Sequence, residues 1–152
     1  MNDGSPPTGL PQTVTVQLGT LGALVADRFA KQIEAYGLKP KHVALLIALS
    51  HGVAASQQEL AGKLAVVPSL VVALADRLEQ CGAITRVRDP TDRRRQVLAL
   101  TGEGARLLAR CETAARAIDD ELLAALSAPE RAALRHALRV LAEQADPKTS
   151  LH

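Results

Sequence analysis

Apolar residues recur at helical spacing along most of the chain and switch once to strict alternation. Leu18, Leu21, Val25, Phe29, Ile33 and Tyr36 predict a first helix from about Gln12 to Ala35, stopped at Gly37. A second helix follows Pro40 and covers Lys41 to Ser50, with Val43, Leu46, Ile47 and Leu49 facing inward and Gly52 at its end. Ser56-Gln57-Gln58-Glu59 is a capping box: the serine hydroxyl accepts from the Glu59 amide, and the carboxylate returns to Ser56. It opens a third helix that buries Leu60 and Leu64. The turn Ala65-Val66-Val67 leads to Pro68, which suits a first helical position because its missing N–H is not needed there. The fourth helix runs to about Gln80 and is closed by Gly82. Within it Val71, Leu74 and Leu78 face the core, which leaves Leu70, Val72 and Ala73 on the other side. Two short helices joined by a tight turn make a helix-turn-helix.

After Gly82 the period changes. Ile84 to Arg88 alternates like a strand, Asp89-Pro90-Thr91-Asp92 is turn chemistry, and Gln96 to Leu100 alternates again. A β-hairpin directly after a helix-turn-helix is a wing. A fifth helix starts at Thr101 and reaches about Leu126, with Leu107, Leu108, Cys111, Ala114, Ala115, Ile118 and Leu122 as its apolar stripe. Ser127 to Glu130 is a second capping box, and a sixth helix carries Leu134, Leu138 and Leu141 to about Ala145. The predicted fold is therefore mainly α with a small β-hairpin wing. Residues 12–145 form one domain, in which 40–100 are the winged helix-turn-helix. Residues 1–11, rich in Gly and Pro, and 146–152 read as flexible tails. Helices 1, 5 and 6 are not needed to complete the winged part, so their apolar faces call for a second copy of the chain, as a homodimer.

Composition narrows the function. At 152 residues, 47% hydrophobic and 22% charged, the chain is globular rather than disordered. With one Phe, one Tyr and no Trp, the core must be built from Leu, Val and Ala. The net charge of +2 says little, but its placement says more. Between Thr85 and Gln96, five arginines stand against two aspartates, so positive charge is focused on the hairpin as a phosphate partner requires. Cys81 and Cys111 form no CxxC, which argues against a disulfide scaffold and fits a reduced cytoplasm. The apolar stretch Val14 to Val25 is interrupted by Gln17 and lacks preceding basic residues, so it reads as a helix and not as a signal peptide or membrane span. His42, His51, His136 and His152 have no metal-ligand spacing, and no Ser-His-Asp or phosphate-loop pattern occurs. No enzyme activity, metal or cofactor is expected.

Glu59-Leu60-Ala61, Pro68-Ser69, Asp76-Arg77-Leu78-Glu79, Gly82, the wing Arg88-Asp89-Pro90-Thr91-Asp92-Arg93-Arg94 and Leu100-Thr101-Gly102-Glu103-Gly104 together resemble the MarR (multiple antibiotic resistance regulator) family. The DPxDRR wing followed by LTxxG is the most specific part, and the order of elements agrees over roughly residues 12 to 145. The resemblance implies a dimeric, double-stranded-DNA-binding transcriptional regulator, a repressor released by a small aromatic or acidic ligand. Helix 4 would enter the major groove and the wing the adjacent minor groove. It implies DNA contacts from Ser69, Leu70, Val72, Ala73, Arg77, Arg88, Arg93, Arg94 and Arg95, with Arg94 as the wing-tip arginine and Asp92 pairing with a neighbouring guanidinium to fix the loop. For Arg77 an internal salt bridge is an equal alternative.

The chain departs from the family at Leu70, Val72 and Ala73, where relatives usually carry Thr, Thr and Arg-like residues. Apolar groups cannot make bidentate hydrogen bonds to bases, so base reading by this helix is expected to be weak. A winged-helix module that docks a protein is the alternative reading. The ligand site implied between helices 1, 2 and 5 has Arg28, Phe29, Gln32, Tyr36, His42 and His51 as candidates. Arg28 would pair with a carboxylate and Phe29 and Tyr36 would stack, with core packing as their other reading. His42 is open to a purely structural role.

Overall fold

A computed structural model describes residues 9–52 and 54–145. Its elements in chain order are α1 (Val14–Glu34), α2 (Pro40–Ser50), α3 (Gln57–Leu64), α4 (Pro68–Gln80), β1 (Ile84–Arg88), β2 (Gln96–Leu100), α5 (Gly102–Leu122) and α6 (Ala128–Ala145). Residues 1–8 of the expected N-terminal tail and all of 146–152 lie outside the described residues. Leu10 and Pro11, expected in that tail, and Gln12, expected to open the first helix, instead form a single 3-10 turn ahead of the Thr13 cap of α1. The chain divides into two compact units, one ending at Ala115 and one beginning at Arg116.

The core of the first unit is aliphatic. Ile33, Leu38, Leu45, Leu46, Leu60, Val71, Leu78, Ile84 and Leu98 are among its buried members, and Leu107 and Cys111 join from the start of α5. Ile47, expected inside, is 39% exposed, and Leu45 takes the inward position. The two lie about 100° on either side of Leu46, and spacing alone did not choose between them. Leu64 is only partly buried at the end of α3.

Local chemistry sets the boundaries. The Ser56 hydroxyl accepts from the Glu59 amide at 3.1 Å, and Glu59 Oε2 accepts from the Ser56 amide at 3.2 Å. Ala65 ends α3 in the left-handed region at φ 50, a conformation costing a non-glycine residue about 1–2 kcal/mol, and it turns the chain toward α4. β1 and β2 pair antiparallel from Ile84↔Leu100 to Arg88↔Gln96. The outer edge of β2 is also partly covered: Ala55 and Leu98 exchange backbone hydrogen bonds of 3.1 and 2.8 Å. This isolated bridge ties the segment before α3 to the wing and has no signature in the sequence.

The LTxxG segment has a steric reason. The Thr101 hydroxyl donates to the Gly82 carbonyl at 2.5 Å and accepts from the Gly104 amide at 3.0 Å, capping α5. Gly104 then lies against the Ala83 carbonyl and the Leu100 side chain, and a Cβ there would overlap both. A glycine is therefore needed for α5 to lie this close to the hairpin base.

In the second unit Ile118 and Leu123 are buried. α5 stops at Leu122, short of the expected Leu126. The second capping box is made: the Ser127 amide donates to Glu130 Oε2 at 2.7 Å, and the Glu130 amide to the Ser127 hydroxyl at 3.4 Å. No residue of α6 is buried, and Leu134, Leu138, Val140 and Leu141 are 36–49% exposed.

Candidate nucleic-acid interface

The wing tip is folded by its aspartates. Asp89 Oδ1 accepts from the Thr91 amide at 2.9 Å and from its hydroxyl at 2.7 Å, and these bonds hold its carboxyl below the ordinary range. Asp92 Oδ1 accepts from the Arg94 amide at 3.0 Å, while the Arg95 amide donates to the Asp92 carbonyl at 2.9 Å. The Asp89 amide closes the loop on the Arg95 carbonyl at 2.9 Å. The expected pairing of Asp92 with a guanidinium is therefore corrected. The short carboxylate reaches a backbone amide two residues on, as Asx turns do, and leaves the arginine heads untouched.

The arginines of the hairpin divide into two groups. Arg95, in the tip loop, is ion-paired with Glu59 of α3. Glu59 thus serves two elements, with Oε2 on the Ser56 amide and Oε1 on Arg95, and both hold its carboxyl below the usual value, Arg95 foremost. Arg86 pairs with Asp76 at 2.5 Å and with Glu79, both on α4. These three ion pairs, made by two arginines, fasten the hairpin to α3 and α4. By contrast Arg88, Arg93 and Arg94 are exposed and enter no ion pair among the described residues. The positive charge counted on the hairpin is thus partly spent on structure, and the share offered to solvent sits near its tip.

On α4 the structure separates the expected contact residues. Ser69, Val72 and Ala73 are exposed. Leu70, expected to point outward, packs against the core instead, because the buried stripe of Val71, Leu74, Ala75 and Leu78 is wide enough to include its flank. The Arg77 guanidinium lies against Gly37 in the turn between α1 and α2, where Gly37 has φ +70. Neither the Asp76 neighbours nor Glu79 takes it up as an ion pair.

The candidate ligand residues do not converge as a set. His42 is buried, and its Nδ1 accepts from the Lys39 amide at 2.9 Å, so it caps the start of α2. Burial first, then the positive charges of Arg77 and Lys39, push its pKa down and favour the neutral ring. Phe29 and Tyr36 pack against the core, while Arg28 and Gln32 on α1 and His51 at the end of α2 are exposed. The Arg110 guanidinium stands 4.2 Å from the centre of the Tyr36 ring, a cation–π contact that no spacing in the sequence announces. The Cys81 thiol is exposed and donates to the Leu78 carbonyl at 3.3 Å; Cys111 is buried, which pushes its pKa up. Among the described residues no group of His, Cys, Asp and Glu is placed to hold a metal ion.

Comparison with known proteins agrees with this architecture. The MarR family model matches residues 36–95, from Tyr36 to Arg95 in the loop of the wing. The HTH-type transcriptional repressor NicR of Pseudomonas putida is 30% identical over 140 residues, covering 89% of this chain and 88% of that one. The chain belongs to the MarR family. A protein of Thauera aromatica, named as regulator of the hcr operon, is 36% identical over 125 residues, 81% of this MarR-family chain and 75% of its own length. Among solved structures, the transcriptional repressor CouR bound to a 23-mer DNA duplex has a TM-score of 0.73 and 28% identity, covering 91% of this chain and 99% of that one. A second CouR structure, from Rhodococcus jostii RHA1, holds p-coumaroyl-CoA. The family is one of DNA-binding transcriptional regulators.

Proposed function

We propose that this MarR-family chain is a dimeric repressor that grips double-stranded DNA with α4 and the wing and is released by a small aromatic or acidic ligand. The observation that carries the reading is the division of the hairpin arginines. Arg86 and Arg95 anchor the wing, and Arg88, Arg93 and Arg94 are left exposed for phosphates or a narrow minor groove. Ser69 and the outer face of α4 lie beside the base pairs. Arg77 contributes through the turn it supports, or reaches the backbone after leaving Gly37.

Dimerisation is supported by apolar residues left exposed on two helices. Leu18, Leu21 and Leu24 on α1 are 44–51% exposed, and Leu134, Leu138, Val140 and Leu141 on α6 are exposed as well. Each helix separately carries a stripe that water would oppose. Two subunits would present their α4 helices to successive major grooves, about 34 Å apart. Ligand release rests on the CouR complex with p-coumaroyl-CoA. In this chain Arg28 and Gln32 are the free polar candidates, with Phe29 and Tyr36 as the apolar floor and His51 at the rim. His42 acts through the α2 cap. No single helix among the described residues is long and apolar enough to cross a membrane, and a regulator of DNA works in the cytoplasm.

The test is titration of duplex DNA by the full chain at increasing salt, with its mass followed by sedimentation. Binding that falls steeply with salt, with a log–log slope of roughly −0.9 per phosphate neutralised, supports the reading. Arg94→Ala should cost about 1–3 kcal/mol of binding. A monomer indifferent to duplex DNA at low salt would overturn it.

A further inference from the structure

Every long polar side chain in the middle of α4 is engaged with another part of the fold. Asp76 and Glu79 are held by Arg86, and Arg77 is laid against Gly37. What remains on the exposed face of the first two turns is Ser69, Val72 and Ala73, spaced i, i+3, i+4 and so on one side of the helix. Val72 is 39% exposed, and Val67, immediately ahead of Pro68, is 63% exposed. In the same unit Arg88, Arg93 and Arg94 of the wing are exposed and in no ion pair among the described residues, so an occupant that meets both must be anionic overall and yet offer methyl groups to Val72. In duplex DNA the only methyl group on the floor of the major groove is that of thymine.

We infer that α4 recognises its operator through thymine C5-methyl groups, with Val72 as the specificity-determining contact and Ala73 beside it, and not through bidentate hydrogen bonds to base edges. This rests on the DNA-binding reading above and deepens it. Val72 and Ala73 bring no donor or acceptor, so their energetic contribution is removal of apolar surface from water. Each methyl buried is worth roughly a four-fold change in affinity, and contacts repeated in two half-sites multiply to about ten-fold or more. Specificity of this kind discriminates thymine from cytosine and from uracil, while leaving the phosphate contribution unchanged.

The experiment uses a duplex recovered by selection from a random pool with the full-length protein. The same duplex is then made with deoxyuridine in place of thymidine, which deletes the methyl group and keeps base pairing. The wild-type protein should bind the uridine duplex about ten-fold more weakly, and Val72→Ala should bind both duplexes with nearly equal affinity. Val72 is on the surface, so Val72→Ala should keep the wild-type melting temperature. Equal wild-type affinity for the two duplexes would overturn methyl reading and leave DNA binding intact. An undiminished uridine penalty in Val72→Ala would overturn it too, because the penalty would then come from duplex shape. Absence of any duplex binding at low salt would refute the underlying DNA-binding reading itself.

Discussion

Replacing Gly104 by alanine sets two opposing effects against each other, and the structure decides the sign. In the first turn of a helix, glycine to alanine should gain about 0.5–1 kcal/mol from backbone entropy. At this position the new Cβ would lie 2.6 Å from Leu100 Cδ1 and closer still to the Ala83 carbonyl oxygen. Leu100 is partly buried and can shift its rotamer. The Ala83 backbone is held on both sides, its amide donating to the Leu78 carbonyl at 2.9 Å and its carbonyl accepting from the Thr101 amide at 3.1 Å. Overpacking against such a fixed group belongs at the upper end of the usual cost of about 1–3 kcal/mol. The net expectation is destabilisation by about 2 kcal/mol, which for a chain of this size lowers the melting temperature by roughly 4–8 °C. Calorimetry measures it directly. Gly62→Ala is the control: Gly62 lies within α3 with nothing near its would-be Cβ, so it should melt slightly higher than wild type. A Gly104→Ala protein as stable as Gly62→Ala would refute the close seating of α5 on the hairpin base.

Other outcomes follow from single groups. His42 is neutral and buried, with its pKa lowered, so the unfolded chain takes up its proton first. Stability should be full above about pH 6.5 and decline as pH falls toward the folded value. His42→Gln, whose amide oxygen can also accept from the Lys39 amide, should flatten that slope in melts taken across pH. Leu138→Asp should shift sedimentation toward the monomer while helical circular dichroism persists; an unchanged dimer would remove α6 from the interface. Cys81→Ser should leave duplex affinity unaltered with or without peroxide, checked by anisotropy, and a lost peroxide response would make that thiol a sensor.

Features encoded within a few residues were legible in the sequence, and those encoded across the fold were not. The hairpin limits, both capping boxes and the Pro68 start of α4 depend on neighbours in the chain, and the structure reproduces them. The inward choice between Leu45 and Ile47, and the half-buried seat of Leu70, depend on how wide a face the neighbouring helices cover. The candidate interface was visible as a run of arginines, but charge counting treats all five alike. Which of them are free depends on Glu59, Asp76 and Glu79 being brought beside the hairpin from other elements. Asp92 was misassigned because a short carboxylate beside three arginines suggests an ion pair, whereas the turn geometry presents it with a backbone amide first.

The shared carboxylate of Glu59 makes one side chain answerable for two elements. Its two oxygens hold different partners, Oε2 the Ser56 amide and Oε1 the Arg95 guanidinium. Replacing Glu59 would therefore take the cap from α3 and the tether from the wing at once, whereas replacing Arg95 would take only the tether.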